Sequence, residues 1–319
     1  MTEIGPRAAV LPAREVPLGG LRSMNVQRAL PQRALPTVGA WCFLDRFGPQ
    51  RTTMRVEPHP HMGLQTVTWP LTGEVRHRDS IGSDVILRAG QLNLMTAGSG
   101  IAHSEYSLGD GAVELDALQL WIALPESARW GERGFERHET LPAVTLPALH
   151  GADAEATVVM GRLGDVVSPA TTYTPLVGAQ IRVAAGSRVS IPLASEWEHA
   201  VVVLEGDLEV QASDAPDAPD GEPTRPGRND LMYLGAGRDH VDIGSLEGAL
   251  VFLLGGEPLE EQLVMWWNFV GRSHEEIADA WDEWQSRSPR FGDVDGHGDV
   301  RIPAPPMPRV RLTPRARRD

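Results

Sequence analysis

The chain has no lysine: all 29 of its basic residues are arginine, set against 43 aspartates and glutamates, for a net charge of −14. That balance excludes a broad electrostatic attraction to nucleic-acid backbones, so no direct nucleic-acid partner is expected. Cysteine is nearly absent. The only one, Cys42, rules out an internal disulfide and a cysteine-built zinc cluster, and it suits a reducing compartment. Long apolar runs are missing too: the longest, Ala249 to Leu254, is far short of a membrane span. No apolar segment of about 7 to 15 residues follows Met1-Thr2-Glu3, so no secretory signal is expected and the expected location is cytoplasmic, away from membranes. Aromatic residues are only 6% of the chain. What is abundant is punctuation, 33 glycines and 26 prolines around many short apolar runs, which points to a turn-rich, all-β protein rather than a helical bundle.

At roughly 150 residues per domain, 319 residues suggest two domains. From Gly63 to Gly100 short β-rich runs alternate with glycine and charged turns, at 66–69, 73–75, 85–87 and 92–95, and a further run covers 115–124 before Pro125. A second block of strands extends from about Gln180 to Leu254, clearest at 200–204 and 231–234. The expected organisation is therefore an N-terminal domain over 1–130, a link or strap over 131–178, a C-terminal domain over 179–290 and an extended Arg- and Pro-rich tail over 291–319. Ser213 to Gly227 reads as a surface hairpin loop, because its prolines cannot donate ladder hydrogen bonds. Ser273 and Glu276 have capping-box spacing, with Ile277, Ala280, Trp281 and Trp284 on one helical face, so a helix packed on the second sheet is expected. The tail from 301 to 319 carries six arginines and one aspartate, and would drape over acidic surface or move freely.

Chemistry concentrates in histidines. In His59-Pro60-His61 the i, i+2 spacing puts two imidazoles on one side of an extended strand. After several further strands comes His103-Ser104-Glu105 with the same spacing, preceded by the turn Ala97-Gly98-Ser99-Gly100. Antiparallel folding that joins the pairs would give a divalent ion three neutral imidazoles and one carboxylate. An octahedral shell would retain two exchangeable positions, as catalysis at a metal requires. His77, Arg78 and Asp79 lie beside a turn at Gly82 and are expected to hold that turn rather than bind metal. Glu198-His199 and Gly237-Arg238-Asp239-His240 look like half of a similar site in the second block. Asp293 to Gly298 lacks the terminal glutamate of a calcium loop and reads as a mobile turn. Cys42, between Trp41 and Phe43, reads as core.

The stretches His59-Pro60-His61-Met62-Gly63, Gly73-Glu74-Val75-Arg76-His77-Arg78-Asp79-Ser80 and Met95-Thr96-Ala97-Gly98-Ser99-Gly100-Ile101-Ala102-His103-Ser104-Glu105 together resemble the pirin family of the cupin superfamily. Leu118-Gln119-Leu120-Trp121, Leu254-Gly255-Gly256-Glu257-Pro258-Leu259 and Asn268-Phe269-Val270 extend the resemblance over roughly 20–285. It implies a bicupin, two cupin-type β-sandwich barrels with a few short helices, one of them C-terminal. It also implies one metal ion in the N-terminal barrel on His59, His61, His103 and Glu105, usually iron as Fe(II), with Mn, Ni, Co, Cu or Zn as alternatives. Gln65 stands where the family commonly has a glutamate, which leaves Glu105 as the single anionic ligand, and Met62 and Leu64 replace the frequent Arg and Phe. Two functions follow from the resemblance. One is a quercetin 2,3-dioxygenase-type enzyme that opens a flavonol or related phenolic ring with O2, with Glu105 as ligand and general base. The other is a non-catalytic regulator that binds a transcription factor or metabolic enzyme and responds to the Fe(II)/Fe(III) change.

Overall fold

The computed structural model describes residues 5–18, 24–212 and 222–315. The described residues form β-strands and one α-helix, His274–Gln285. The chain divides into two compact units: Met1–Glu15, Gln27–Phe43 and Thr140–Leu259 in one, Val16–Val26, Leu44–Glu139 and Glu260–Asp319 in the other. No helix among the described residues is long and apolar enough to cross a membrane.

The first unit carries an eight-stranded sheet, in the order Pro6–Leu11, Leu231–Gly235, Glu198–Gly206, Ala249–Gly256, Leu176–Val183, Ala154–Leu163, Ala143–Leu146, with Val166–Val167 beside Ala154–Leu163. A four-stranded sheet, Ala148–His150, Ser187–Pro192, His240–Ser245 and Glu209–Gln211, accompanies it. Between them lies an aliphatic core that includes Val158, Ile181, Val189, Ile191, Val201, Val203, Met232, Ile243, Val251 and Leu253. Period-2 alternation produces it, since every second side chain of a strand faces the same way. The expected strap over 131–178 is corrected here: Ala143–Leu146 and Ala154–Leu163 are ladder strands, and Ala156 and Val158 are core. The proline, glycine and charge of that stretch belong to its turns and outward positions and conceal the inward row. Of the expected loop at Ser213 to Gly227, residues 213–221 lie outside the described residues; Thr224 pairs with Val210.

In the second unit a four-stranded sheet runs Arg55–His61, Ile101–Ser107, Glu74–Asp79, Asp84–Arg88. A seven-stranded sheet holds Gly134–His138, Leu92–Thr96, Leu64–Thr72, Val113–Ala123, Trp41–Thr52, Asn25–Leu30 and Arg14–Pro17. Cys42, which falls in the first unit, is fully buried, as expected. In the second unit Arg46 and Asp116 form a bidentate pair at 2.8 and 2.6 Å, each almost wholly out of solvent.

The helix forms as expected but belongs to a different place. Ser273 Oγ accepts the backbone N–H of Glu276 at 3.2 Å, while the Glu276 carboxylate takes the backbone N–H of Arg272 at 2.7 Å and the Arg129 guanidinium at 2.9 Å. Ile277, Ala280 and Trp284 pack with Met62, Ala102, Phe269 and Phe291, so the helix covers the histidine-bearing unit rather than the second sheet. The tail is seated along it: the indole N–H groups of Trp281 and Trp284 donate to the carbonyls of Pro305 and Ile302 at 2.8 and 2.9 Å. Arg311 pairs with Glu275, and His274 Nδ1 accepts the Leu312 N–H at 3.1 Å.

Candidate metal centre

Three strands of the four-stranded sheet present the site. Their register sets His103 opposite His59 on one side and Asp79 on the other, with Glu105 opposite His77. Alternation then sends His59, His61, His77, Asp79, His103 and Glu105 to one face, all at 7% exposure or less. A register shift between His103 and Glu105 bulges the Arg55–His61 strand. Such bulges re-aim side chains beside functional sites. Here Glu57 lies with Tyr106 and His297, while His59 stays inward.

His59, His61 and His103 form one group whose ligand atoms all lie within 4.8 Å of one another. Their ring centroids are 4.4 to 5.0 Å apart. His59 Nδ1 is 2.9 Å from the Glu57 carbonyl, which can only accept, so the proton sits on Nδ1 and the lone pair on Nε2. Nδ1 of His61 and Nε2 of His103 are buried without a hydrogen-bond partner. Such orphaned atoms cost free energy unless something occupies them. Burial first, and the neighbouring His59 second, push His61 and His103 far below the ordinary histidine range, so both are neutral imidazoles, the form that ligates. Two orphaned lone pairs beside a third imidazole fit a divalent ion that accepts nitrogen.

Glu105 does not join that group directly. Its ligand atom lies within 4.8 Å of those of His77 and His103, in a second group sharing His103. Its Oε1 accepts the Thr68 hydroxyl at 3.0 Å, and Thr68 is 3.2 Å from Gln119 Oε1. Burial raises the Glu105 carboxyl, opposed by the neighbouring His77 ring and the Thr68 hydrogen bond. Gln65 is fully buried and donates to Thr96 Oγ1 at 3.0 Å, in neither group of candidate ligands.

The expected turn at Gly82 is held by one residue of the three assigned to it. Asp79 Oδ1 accepts the backbone N–H groups of Ile81 and Ser83 at 3.0 and 2.9 Å. Arg78 turns outward over the Tyr106 ring. His77 faces the centre: it bonds Asp79 Oδ2 at 3.2 Å, approaches His103 at 3.4 Å between Nδ1 atoms and stacks on Phe135 at 4.6 Å. Sequence reasoning missed this, although His77-Arg78-Asp79 repeats the i, i+2 spacing that singled out the other two pairs. Trp121, read only as strand, stands edge-on to His61 at 5.1 Å.

The C-terminal segment buttresses these strands from outside. Val270 N–H bonds the Met62 carbonyl, Ala102 N–H the Phe291 carbonyl and Ile302 N–H the Pro58 carbonyl, at 3.1, 2.9 and 2.8 Å. Gly63, at φ +72°, permits the first of these: a Cβ there would lie 2.1 Å from the Val270 carbonyl oxygen. The expected mobile turn at 293–298 is instead anchored, since His297 is buried with Nε2 2.9 Å from Ser104 Oγ.

In the first unit the suspected half-site does not assemble. His199 is buried and His240 is half-exposed, paired with Asp239 at 2.6 Å. Glu198 is spent on structure, accepting Gly39 N–H at 2.8 Å and Tyr233 O–H at 2.7 Å.

A pirin family model matches residues 23–122, and a model of the pirin C-terminal cupin domain matches 178–292. A Pseudomonas aeruginosa protein provisionally named as a quercetin 2,3-dioxygenase is 41% identical, the match covering 93% of this chain and 89% of that one. A pirin-like protein of Caulobacter vibrioides is 33% identical, over 93% and 98% of the two chains. The crystal structure of a quercetin 2,3-dioxygenase from Acinetobacter baumannii superposes with a TM-score of 0.85 at 34% identity, covering 96% of this chain and 98% of that one. Histidine-lined strands in one unit, a filled second cupin domain and these matches over nearly the whole length place the chain in the pirin family.

Proposed function

We propose that the protein holds one divalent metal ion, Fe(II) by family resemblance, on His59, His61, His103 and Glu105, and acts as a dioxygenase of quercetin 2,3-dioxygenase type on a flavonol or related phenol. The observation that carries this reading is the buried triad of imidazoles with orphaned nitrogens on His61 and His103, two residues from the Glu105 carboxylate. The names of its relatives in Pseudomonas and Acinetobacter support the reaction class. A bound ion would supply Lewis acidity toward a phenolate oxygen and a place for O2. The chain supplies the rest. His59, His61, His103 and Glu105 are all buried, at 7% exposure or less, so the donors sit in a water-poor setting. The Trp121 ring, edge-on to His61, offers apolar surface beside the donors to a planar aromatic ring. The Glu105 carboxylate, steadied by Thr68, takes the hydroxyl proton of the substrate as general base.

The test is aerobic mixing of quercetin with protein loaded with Fe(II), Mn(II), Ni(II), Co(II) or Cu(II), following the visible flavonol band. Decay well above that of the free metal is expected for at least one ion, and loss of it in Glu105→Gln. Decay no faster than the free metal for every ion would overturn the reading for this substrate.

A further inference from the structure

We propose that Asp79 and His77 form a hydrogen-bonded relay that fixes the tautomer of His103, which makes His77 a positioning residue of the metal centre. The inference rests on the metal reading above and concerns residues outside the assigned ligand set.

The proton positions follow from one end. Asp79 Oδ1 is occupied by the backbone N–H groups of Ile81 and Ser83, which leaves Oδ2 to face His77 Nε2 at 3.2 Å. A carboxylate only accepts, so a neutral His77 carries its proton on Nε2 and its lone pair on Nδ1. That Nδ1 lies 3.4 Å from His103 Nδ1, and of two facing ring nitrogens one must donate, so His103 is protonated on Nδ1. The lone pair of His103 is thereby placed on Nε2, a buried atom without a hydrogen-bond partner on a residue of the imidazole group. Phe135, stacked on His77 at 4.6 Å, keeps the His77 ring in the plane this requires. Backbone pairing of His103 with Asp79 and of Glu105 with His77 puts relay and ligands on adjacent strands, so the alignment is built into the sheet. Groups of this kind orient a ligating imidazole and raise its basicity, and their loss typically costs about 10- to 100-fold in metal affinity.

The relay makes an unusual demand on Asp79→Asn. The amide oxygen would stay on the two turn N–H groups, so the NH2 would point at His77 Nε2 and force a lone pair there. His77 would then donate from Nδ1, and His103 would have to carry its proton on Nε2, where the metal binds. A merely structural Asp79 predicts no such inversion, because the turn is conserved.

The probes are Ni(II), for affinity by competition with a chelating dye, and Co(II), for the ligand-field absorption of the bound ion. Asp79→Asn and His77→Leu are expected to weaken Ni(II) binding about 10- to 100-fold and to alter the Co(II) bands. His77→Gln, whose amide can donate to Asp79 and accept from His103, is expected to stay near the wild-type value. Wild-type affinity and an unchanged Co(II) spectrum in Asp79→Asn would overturn the relay alone. Equal losses in His77→Gln and His77→Leu would also overturn it, since the ring would then be a ligand itself. If Asp79→Asn fails to fold by circular dichroism, the two His77 variants decide. A wild-type protein that binds no Ni(II) would instead overturn the metal reading, and the relay with it.

Discussion

The two cupin domains put opposite things on the inner faces of the same kind of sheet. In one, alternate positions of three neighbouring strands carry His59 and His61, His103 and Glu105, His77 and Asp79. In the other the four-stranded sheet is aliphatic on its inner face, with Val189, Ile191, Val210, Val241 and Ile243 among the buried residues. Even His199 is absorbed there: its ring packs so closely against Gly255 that a Cβ at that glycine would lie 2.5 Å away. The first pattern gives up apolar packing for orphaned nitrogens, which is affordable only if a ligand occupies them, while the second supplies folding free energy through burial. The difference teaches that the fold tolerates a functional centre where its inward row is polar, and that sheet topology alone does not indicate which domain is active.

The comparison breaks most visibly through the histidines. His103→Ala should lose metal affinity by more than about 100-fold, beyond the loss typical of a residue that only supports a ligand, whereas His199→Leu should leave the metal-to-protein ratio unchanged. Elemental analysis after gel filtration checks both, and metal loss from the His199 variant would blur the distinction drawn between the domains. Next in size come stability effects, read by urea unfolding. Asp116→Ala removes the bidentate carboxylate partner of the buried Arg46 guanidinium and should cost about 3–5 kcal/mol. Leu253→Ala in the aliphatic domain should cost about 2–5 kcal/mol with no change in metal content.

A pH profile sharpens the contrast further. Burial lowers His199 to about 4 from its ordinary 6.5, with a backbone hydrogen bond to Trp197 acting in the opposite direction. Between those values the unfolded chain binds more protons than the folded one, so stability present above pH 6.5 declines as the pH falls to about 4. At about 1.36 kcal/mol per pKa unit, the His199 contribution amounts to roughly 3 kcal/mol. Subtracting the profile of His199→Leu from that of wild type should isolate this slope, and parallel profiles would contradict it. The smallest effect is expected at the surface: Asp84→Asn breaks a half-exposed pair with Arg76 and should cost under about 1 kcal/mol, leaving metal binding intact.

Much of this was legible in the sequence where the signal is local. The i, i+2 spacing of His59 with His61 and of His103 with Glu105 exposes a shared strand face, and the cap at Ser273 with its apolar stripe marks the helix. What stayed hidden depends on contacts distant in sequence. Nothing near Ser104 announces that His297 will bond it from 193 residues away. The stripe of the helix shows that it packs but not on what, and its partners Met62 and Ala102 come from the opposite end of the chain. His77 was misread for a different reason. Its neighbour Asp79 does hold a turn, and that sufficient local explanation masked an inward ring one strand away from His103. The strands Ala143–Leu146 and Ala154–Leu163 were overlooked because the proline, glycine and charge around them dominate the composition of 131–178 and hide the buried positions of the second strand.

X-ray absorption at the metal edge of the Fe(II)-loaded protein tests the central claim most directly. The account predicts one iron per chain with imidazole scattering from three histidines and additional oxygen donors, falling to two imidazoles or to no bound iron in His61→Ala. Iron bound without imidazole scattering, or a spectrum unaltered by that substitution, would contradict it.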